Sequence, residues 1–210
     1  MSIPPAKINI TSNSVEKTKL KSRYVFWYRI SEDYIYQNPP KTKLDKSEYE
    51  NQIKKIAEFE TIEDFWAIFQ HLRKPDSCRP GIEFQLFRFG VKPIWEDDNN
   101  KNGGKVTIKL RKDFTTIIWE EMIFSLIGDV LPESIKNEIN GIVVASRKDF
   151  NKLEIWFKNW SIEKNNIIEK HIRDLLQMPP EVTLEFKQFF PEETEMIEHI
   201  ESYCARVGCE

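Results

Sequence analysis

Lys105-Val-Thr-Ile-Lys-Leu-Arg111 alternates without a break. Val106, Ile108 and Leu110 point to one side, and Lys105, Thr107, Lys109 and Arg111 to the other. A two-residue period belongs to a β-strand, and one apolar side against one basic side belongs to a sheet covered on a single face. Any fold for this chain must leave the other face of that sheet open to water.

The remaining patterns supply more strands and the cover. Tyr24–Ile30, Gln52–Glu60, Glu83–Phe89 and Val182–Phe190 read as strands. Gly141–Arg147 and Lys152–Phe157 flank a short turn at 148–151, a hairpin with Arg147, Lys148 and Lys152 clustered at its tip. Three segments have helical spacing instead. Thr61-Ile-Glu-Asp64 has the form of a capping box opening a helix to about Arg73, with Ile62, Phe65, Phe69 and Leu72 on one face. Phe114–Gly128 buries Ile118, Met122, Ile123 and Leu126, and Glu163–Leu176 buries a stripe from Ile167 to Leu176 before Pro179-Pro180 stops it. Strands and helices do not alternate as βαβ units, so the class is α+β: a mostly antiparallel curved sheet with helices on one face. Residues 1–20 read as a flexible arm, 21–190 as one domain, and 191–210 as an acidic tail with helical potential. The segment 31–47, with Asn38-Pro39-Pro40 and several lysines, reads as a long loop.

Charge and cysteine usage narrow the function. There are 31 Lys and Arg against 34 Asp and Glu, a net charge of -3. Gripping long nucleic acid through phosphates requires a basic excess that this chain lacks, although a small basic pocket remains open to it. Cys78, Cys204 and Cys209 form no zinc-spaced pair and read as free thiols of a reducing compartment. No apolar run approaches the ~20 residues that span a bilayer, and Met1–Ser14 lacks the features of a secretory signal. Cytoplasmic or nucleocytoplasmic residence is expected. Nucleophile-elbow, Walker A, dinucleotide-fingerprint and zinc-protease patterns are absent, so no catalysis and no cofactor are expected.

The stretch Val91–Gly104 carries the chemistry. It sets the Trp95 indole beside the Glu96 carboxylate on a loop braced by Pro93 and ended by Gly103-Gly104. Two readings stand at this level: a rim aromatic followed by a solvated acidic turn, or half of a site for a planar, positively charged ligand with N–H donors. Tyr49 is a candidate second ring, and Arg147 and Lys152 are candidate phosphate ligands. Trp66 reads as core filler or as a half-exposed docking ring, and Phe124 as an exposed aromatic one turn from Glu120.

Taken together, Thr61-Ile-Glu-Asp-Phe-Trp66, Gly90–Gly104, Trp119 with Leu126-Ile-Gly128, Gly141-Ile-Val-Val144 with Arg147, and Ile155-Trp156 resemble the eukaryotic translation initiation factor 4E family, in order and spacing over about residues 23–187. The resemblance implies a curved sheet of eight strands with three long helices on its convex back. It implies a protein that binds the 7-methylguanosine cap of messenger RNA and acts in translation. Trp95 and Tyr49 would sandwich the methylated base, Glu96 would accept from its N1–H and N2–H groups, and Trp156 would lie near the N7 methyl. Arg147 and Lys152 would meet phosphates. Ile62 and Trp66, with Phe124 as neighbour, would receive a helical segment of factor 4G or of a 4E-binding protein. The alternative is an interaction scaffold whose cap pocket is weakened or lost.

Tyr24 and Tyr49, where initiation factors typically carry Trp, are similar to the 4E homologous protein branch, which is associated with translational repression. Three departures from the family go further: Thr18-Lys19-Leu20 stands where a His-Pro-Leu element is usual, Asp149 where many members have Lys, and Val106 where an aromatic is usual. The smaller ring at 49 implies weaker cap affinity than a standard initiation factor has.

Overall fold

A computed structural model describes residues 16–31 and 46–190. The strict alternation of Lys105–Arg111 resolves into strand β4 (Gly104–Leu110), hydrogen-bonded on one side to β6 (Asn151–Phe157) and on the other to β7 (Leu184–Gln188). With β1 (Lys19–Ile30), β2 (Ile53–Thr61), β3 (Ile82–Arg88) and β5 (Ile139–Ser146), these strands make one open antiparallel sheet in the order β2-β1-β3-β5-β6-β4-β7. The described residues thus form seven strands, where the family resemblance implied eight; the seven are the segments read as strands from the sequence. β1 starts at Lys19, inside the stretch expected to be an arm. Residues 191–210 lie outside the described residues.

Register sorts the side chains into two faces. On one face lie Tyr24 and Phe26 of β1, Leu86 of β3, Ile142 and Val144 of β5, Leu153 and Ile155 of β6, and Val106 and Ile108 of β4, all almost fully buried. Each such side chain removed from water contributes about 1.5–3 kcal/mol, which is why this face must be covered. The cover is helical. α2 (Ile62–Phe69) inserts Phe65, α3 (Lys112–Ile127) inserts Trp119, Met122, Ile123 and Leu126, and α5 (Asn165–Leu176) inserts Ile168, Ile172 and Leu176. Ile167, expected in the buried stripe of α5, is 56% exposed, because the buried positions run at intervals of four from Ile168.

Helix boundaries follow local chemistry. Thr61 caps α2 as its spacing suggests: its hydroxyl accepts from the Asp64 N–H at 3.1 Å and donates to the Asp64 carboxylate at 2.7 Å. α2 ends at Phe69, short of the expected Arg73. Its continuation tightens into bonds from His71 N–H to Ile68 O and from Leu72 N–H to Phe69 O, and Pro75 then holds Lys74 extended. Two further helices have no apolar stripe to announce them: α1 (Lys46–Gln52), which begins in the last two residues of the stretch read as loop, and the single turn α4 (Glu133–Lys136); residues 32–45 of that stretch lie outside the described residues.

Candidate functional site

The opposite face of the sheet is left open, as β4 requires. Across β1, β3, β5, β6 and β4 it presents rows in register: Arg29, Glu83, Ala145, Lys152 and Lys109; then Trp27, Gln85, Val143, Glu154 and Thr107. Above this floor stands the loop 89–103. Asn100, fully buried, donates to Lys92 O and Ile94 O at 2.9 and 2.8 Å. Asn140 of β5 donates to Asn99 O and to Asn100 Oδ1, which ties the loop to the sheet. Gly103 and Gly104 are required where loop becomes strand. A Cβ at Gly103 would meet Phe157 O at 1.9 Å, and one at Gly104 would meet the Trp160 ring at 2.1 Å.

This architecture separates the three neighbouring carboxylates. Asp97 accepts from the backbone of Lys92 and Asn99 and from the Asn99 amide, so it is spent on the loop. Asp98 pairs with Lys101 at the surface. Glu96 alone is turned into a cavity of about 290 Å³ between loop, floor and α1. The cavity also takes Trp95, Tyr49, Trp156 and Arg147 as walls. Lys152, expected with them, is not a wall. It shares the floor's face but lies against Ala145 and Lys109, one row removed from the Glu154 position.

Each wall residue is held by a neighbour. Trp95 is 53% exposed and forms a free-standing rim. Trp156 is buried, with Phe189 at 4.5 Å and Phe87 edge-on at 5.4 Å between ring centroids. Its indole N–H donates to Glu154 at 3.1 Å, and the other Glu154 oxygen accepts from Lys105 at 2.7 Å. Tyr49 projects from α1 with the Arg29 guanidinium 4.4 Å from its ring centroid. Burial, followed by the nearby Glu83 carboxylate, pushes its phenol up to about 12, so it is neutral at physiological pH. Glu83 accepts from Arg29 at 3.1 Å and from Arg147 at 2.7 Å.

The ionised side chains lining the cavity are therefore paired, with one exception. Arg29 and Arg147 share Glu83, Lys105 holds Glu154, and Glu96 has no hydrogen bond or ion pair among the described residues. A lone acceptor beside a half-exposed indole suits a planar cation carrying N–H donors. Arg29, Glu83, Gln85, Lys105, Glu154 and Phe189 also line the cavity and were not singled out from the sequence. Strand parity was the available signal, since Glu83 and Gln85 alternate with the core residues Phe84 and Leu86.

On the helix-covered side, Ile62 and Trp66 of α2 are exposed. The Trp66 ring lies 5.6 Å from that of Phe124 on α3 and 5.9 Å from that of Phe69. Beside them opens a second cleft of about 200 Å³, lined by Trp66, Phe69, Leu72, Trp119 and Glu120 among others.

A half-open antiparallel sheet, backed by helices and bearing an aromatic cleft with one acid unpaired among the described residues, defines an α+β ligand-binding class of domain. The family model for eukaryotic initiation factor 4E matches residues 19–200, and the chain belongs to that family. It is similar to the translation initiation factor NCBP of Triticum aestivum, 33% identical over 169 residues, covering 80% of this chain and 68% of that one. Initiation factor 4E-4 of Caenorhabditis elegans is 30% identical over 74% of this chain and 73% of its own length. Among solved structures, Caenorhabditis elegans 4E-3 in complex with the 4E-binding protein Mextli and a cap analog superposes with a TM-score of 0.68, at 25% identity over 82% of this chain and 93% of that one. Ascaris suum 4E-3 with an m2,2,7G cap superposes at 0.69, also at 25% identity, over 81% and 91%.

Proposed function

We propose that this chain binds the 7-methylguanosine cap of messenger RNA in the 290 Å³ cavity and acts in translation by docking partner proteins on the helix-covered face. The observation that carries this reading is the Glu96 carboxylate beside Trp95, unpaired among the described residues in a cavity whose other charged side chains each have an ionic partner. Methylation at N7 gives the purine a positive charge, so stacking on Trp95 and Tyr49 gains a cation–π contribution of about 0.5–2 kcal/mol. Glu96 accepts from the guanine N1–H and N2–H. Adenine offers the wrong edge and leaves that carboxylate unpaired. Trp156 stands near the methyl group. Arg147, held by Glu83, presents the rest of its fork to the cap phosphates, and Lys152 meets only the outer end of the phosphate chain. Relatives whose solved structures hold cap analogues support this reading.

On the opposite face, Ile62, Trp66 and Phe124 receive an amphipathic helix from factor 4G or a 4E-binding protein. The work is binding rather than catalysis, and a translation role calls for a cytoplasmic or nucleocytoplasmic protein. Tyr24 and Tyr49 favour the 4E homologous branch. Co-purification of factor 4G would assign the chain to initiation, and its exclusion would assign it to repression.

The test is a titration of intrinsic tryptophan fluorescence with 7-methyl-GTP and, in parallel, with GTP. Saturable quenching by the methylated ligand and a far weaker response to GTP are expected, both lost in Glu96→Gln. Equal responses to the two nucleotides, or full binding by the variant, would overturn the assignment.

A further inference from the structure

Tyr49 sits on a seven-residue helix with no apolar stripe of its own: Lys-Ser-Glu-Tyr-Glu-Asn-Gln. Such a helix is marginal in isolation. Something must hold its ring in the cavity wall, and the structure shows one side chain doing so in two ways. Arg29 of β1, 8% exposed, lays its guanidinium 4.4 Å from the Tyr49 ring centroid, and its Nε donates to Gln52 Oε1 at 3.2 Å. Tyr49 and Gln52 are one turn apart, so both contacts fall on the same face of α1. The guanidinium also donates to Glu83 at 3.1 Å, and the second Glu83 oxygen takes Arg147 at 2.7 Å. A single hydrogen-bonded chain therefore runs from the helix that carries the ring to the arginine at the hairpin tip.

We infer that Arg29 is the positioning residue for Tyr49, with Glu83 in turn holding Arg29 in place. This inference rests on the cap-binding reading of the cavity. Arg29 acts through the ring rather than on the ligand's phosphates. Its Nε is committed to Gln52, an Nη to Glu83 and the guanidinium plane to the tyrosine. The planar shape matters as much as the charge, because a lysine ammonium cannot stack on a ring and feed a carboxylate and an amide at once. Pre-setting a binding wall reduces the ordering cost paid on association.

The experiment compares wild type with Arg29→Met and Arg29→Lys, using 7-methylguanosine and 7-methyl-GTP as ligands. Glu83 keeps Arg147 as a partner in these variants, so no carboxylate is left alone. Loss of one stacked, hydrogen-bonded contact predicts affinity lower by roughly tenfold. The loss should be equal for nucleoside and triphosphate, should not be rescued by Lys, and should disappear in a Tyr49→Ala background. An effect confined to the triphosphate, rescue by Lys, or factors that multiply with Tyr49→Ala would each overturn the inference. Hydrogen exchange of the amides from Tyr49 to Ile53, measured without ligand, gives an independent arm. Protection should fall roughly tenfold in Arg29→Met and partly in Gln52→Ala. Unchanged protection would overturn the inference even if the cavity bound no cap. Absence of wild-type cap binding with lowered protection would sink the functional assignment and leave Arg29 as the anchor of α1.

Discussion

At the scale of single residues, the site depends on which charges are already satisfied. Among the described residues Glu96 is the free acceptor, and Asp97, its neighbour, is a loop bracket. Asp97→Ala should therefore weaken cap binding indirectly by releasing the backbone of Lys92 and Asn99, and should lower stability as well, by about 1–3 kcal/mol in urea denaturation. Glu96→Gln should abolish binding and leave stability within about 0.5 kcal/mol of wild type. Tyr49 sets an alkaline limit. Its phenol is held at about 12 against the usual 10 of a solvated tyrosine, so the folded chain keeps that proton when the unfolded chain has lost it. The resulting stability is fully present below pH 10 and is lost as pH rises through about 12. Denaturation at successive pH values should show a shallower loss over that window for Tyr49→Phe. None of this pairing was legible in the sequence. Glu83, Arg29 and Arg147 are separated by dozens of positions, and only the register of β1, β3 and β5 brings them together.

At the scale of elements, legibility tracked local physics. β4 shows its period directly, the β5–β6 hairpin shows two apolar runs around a short turn, and the Thr61 cap lies three residues from its partner Asp64. α1 was missed because a short polar helix shows no periodicity and is set by what it docks against. Lys152 stands outside the cavity wall because proximity to a hairpin tip in sequence does not decide on which row of the sheet a side chain lands. α2 yields two separable predictions. Thr61→Ala should cost about 1 kcal/mol in chemical denaturation through the lost cap. Trp66→Ala should abolish capture of a partner helix and leave the 7-methyl-GTP titration unchanged, because the ring is 49% exposed on the face away from the cavity.

At the scale of the whole molecule, one sheet separates two surfaces, and the helix-backed core lies between them. Ligand binding on the open face stabilises the entire cooperative unit. At a ligand concentration of 100 times Kd the gain is about 2.7 kcal/mol, which corresponds to a rise in Tm of roughly 5–10 °C for a domain of this size. A thermal shift should report that rise for 7-methyl-GTP, and none for GTP or for Glu96→Gln. The class was readable from one strand, since a half-wet sheet admits few architectures. The strand count implied by the resemblance exceeded what the described residues form.

An open sheet also ends in two borders, here β2 and β7 among the described strands. Exposed borders invite a second chain to add itself by backbone pairing. β2 carries Lys54, Lys55, Glu58 and Glu60 along its length, and β7 carries Glu185 and Lys187. Another strand approaching either rim would have to bury or oppose these charges. The same openness that admits a ligand is thereby kept from becoming a template for aggregation.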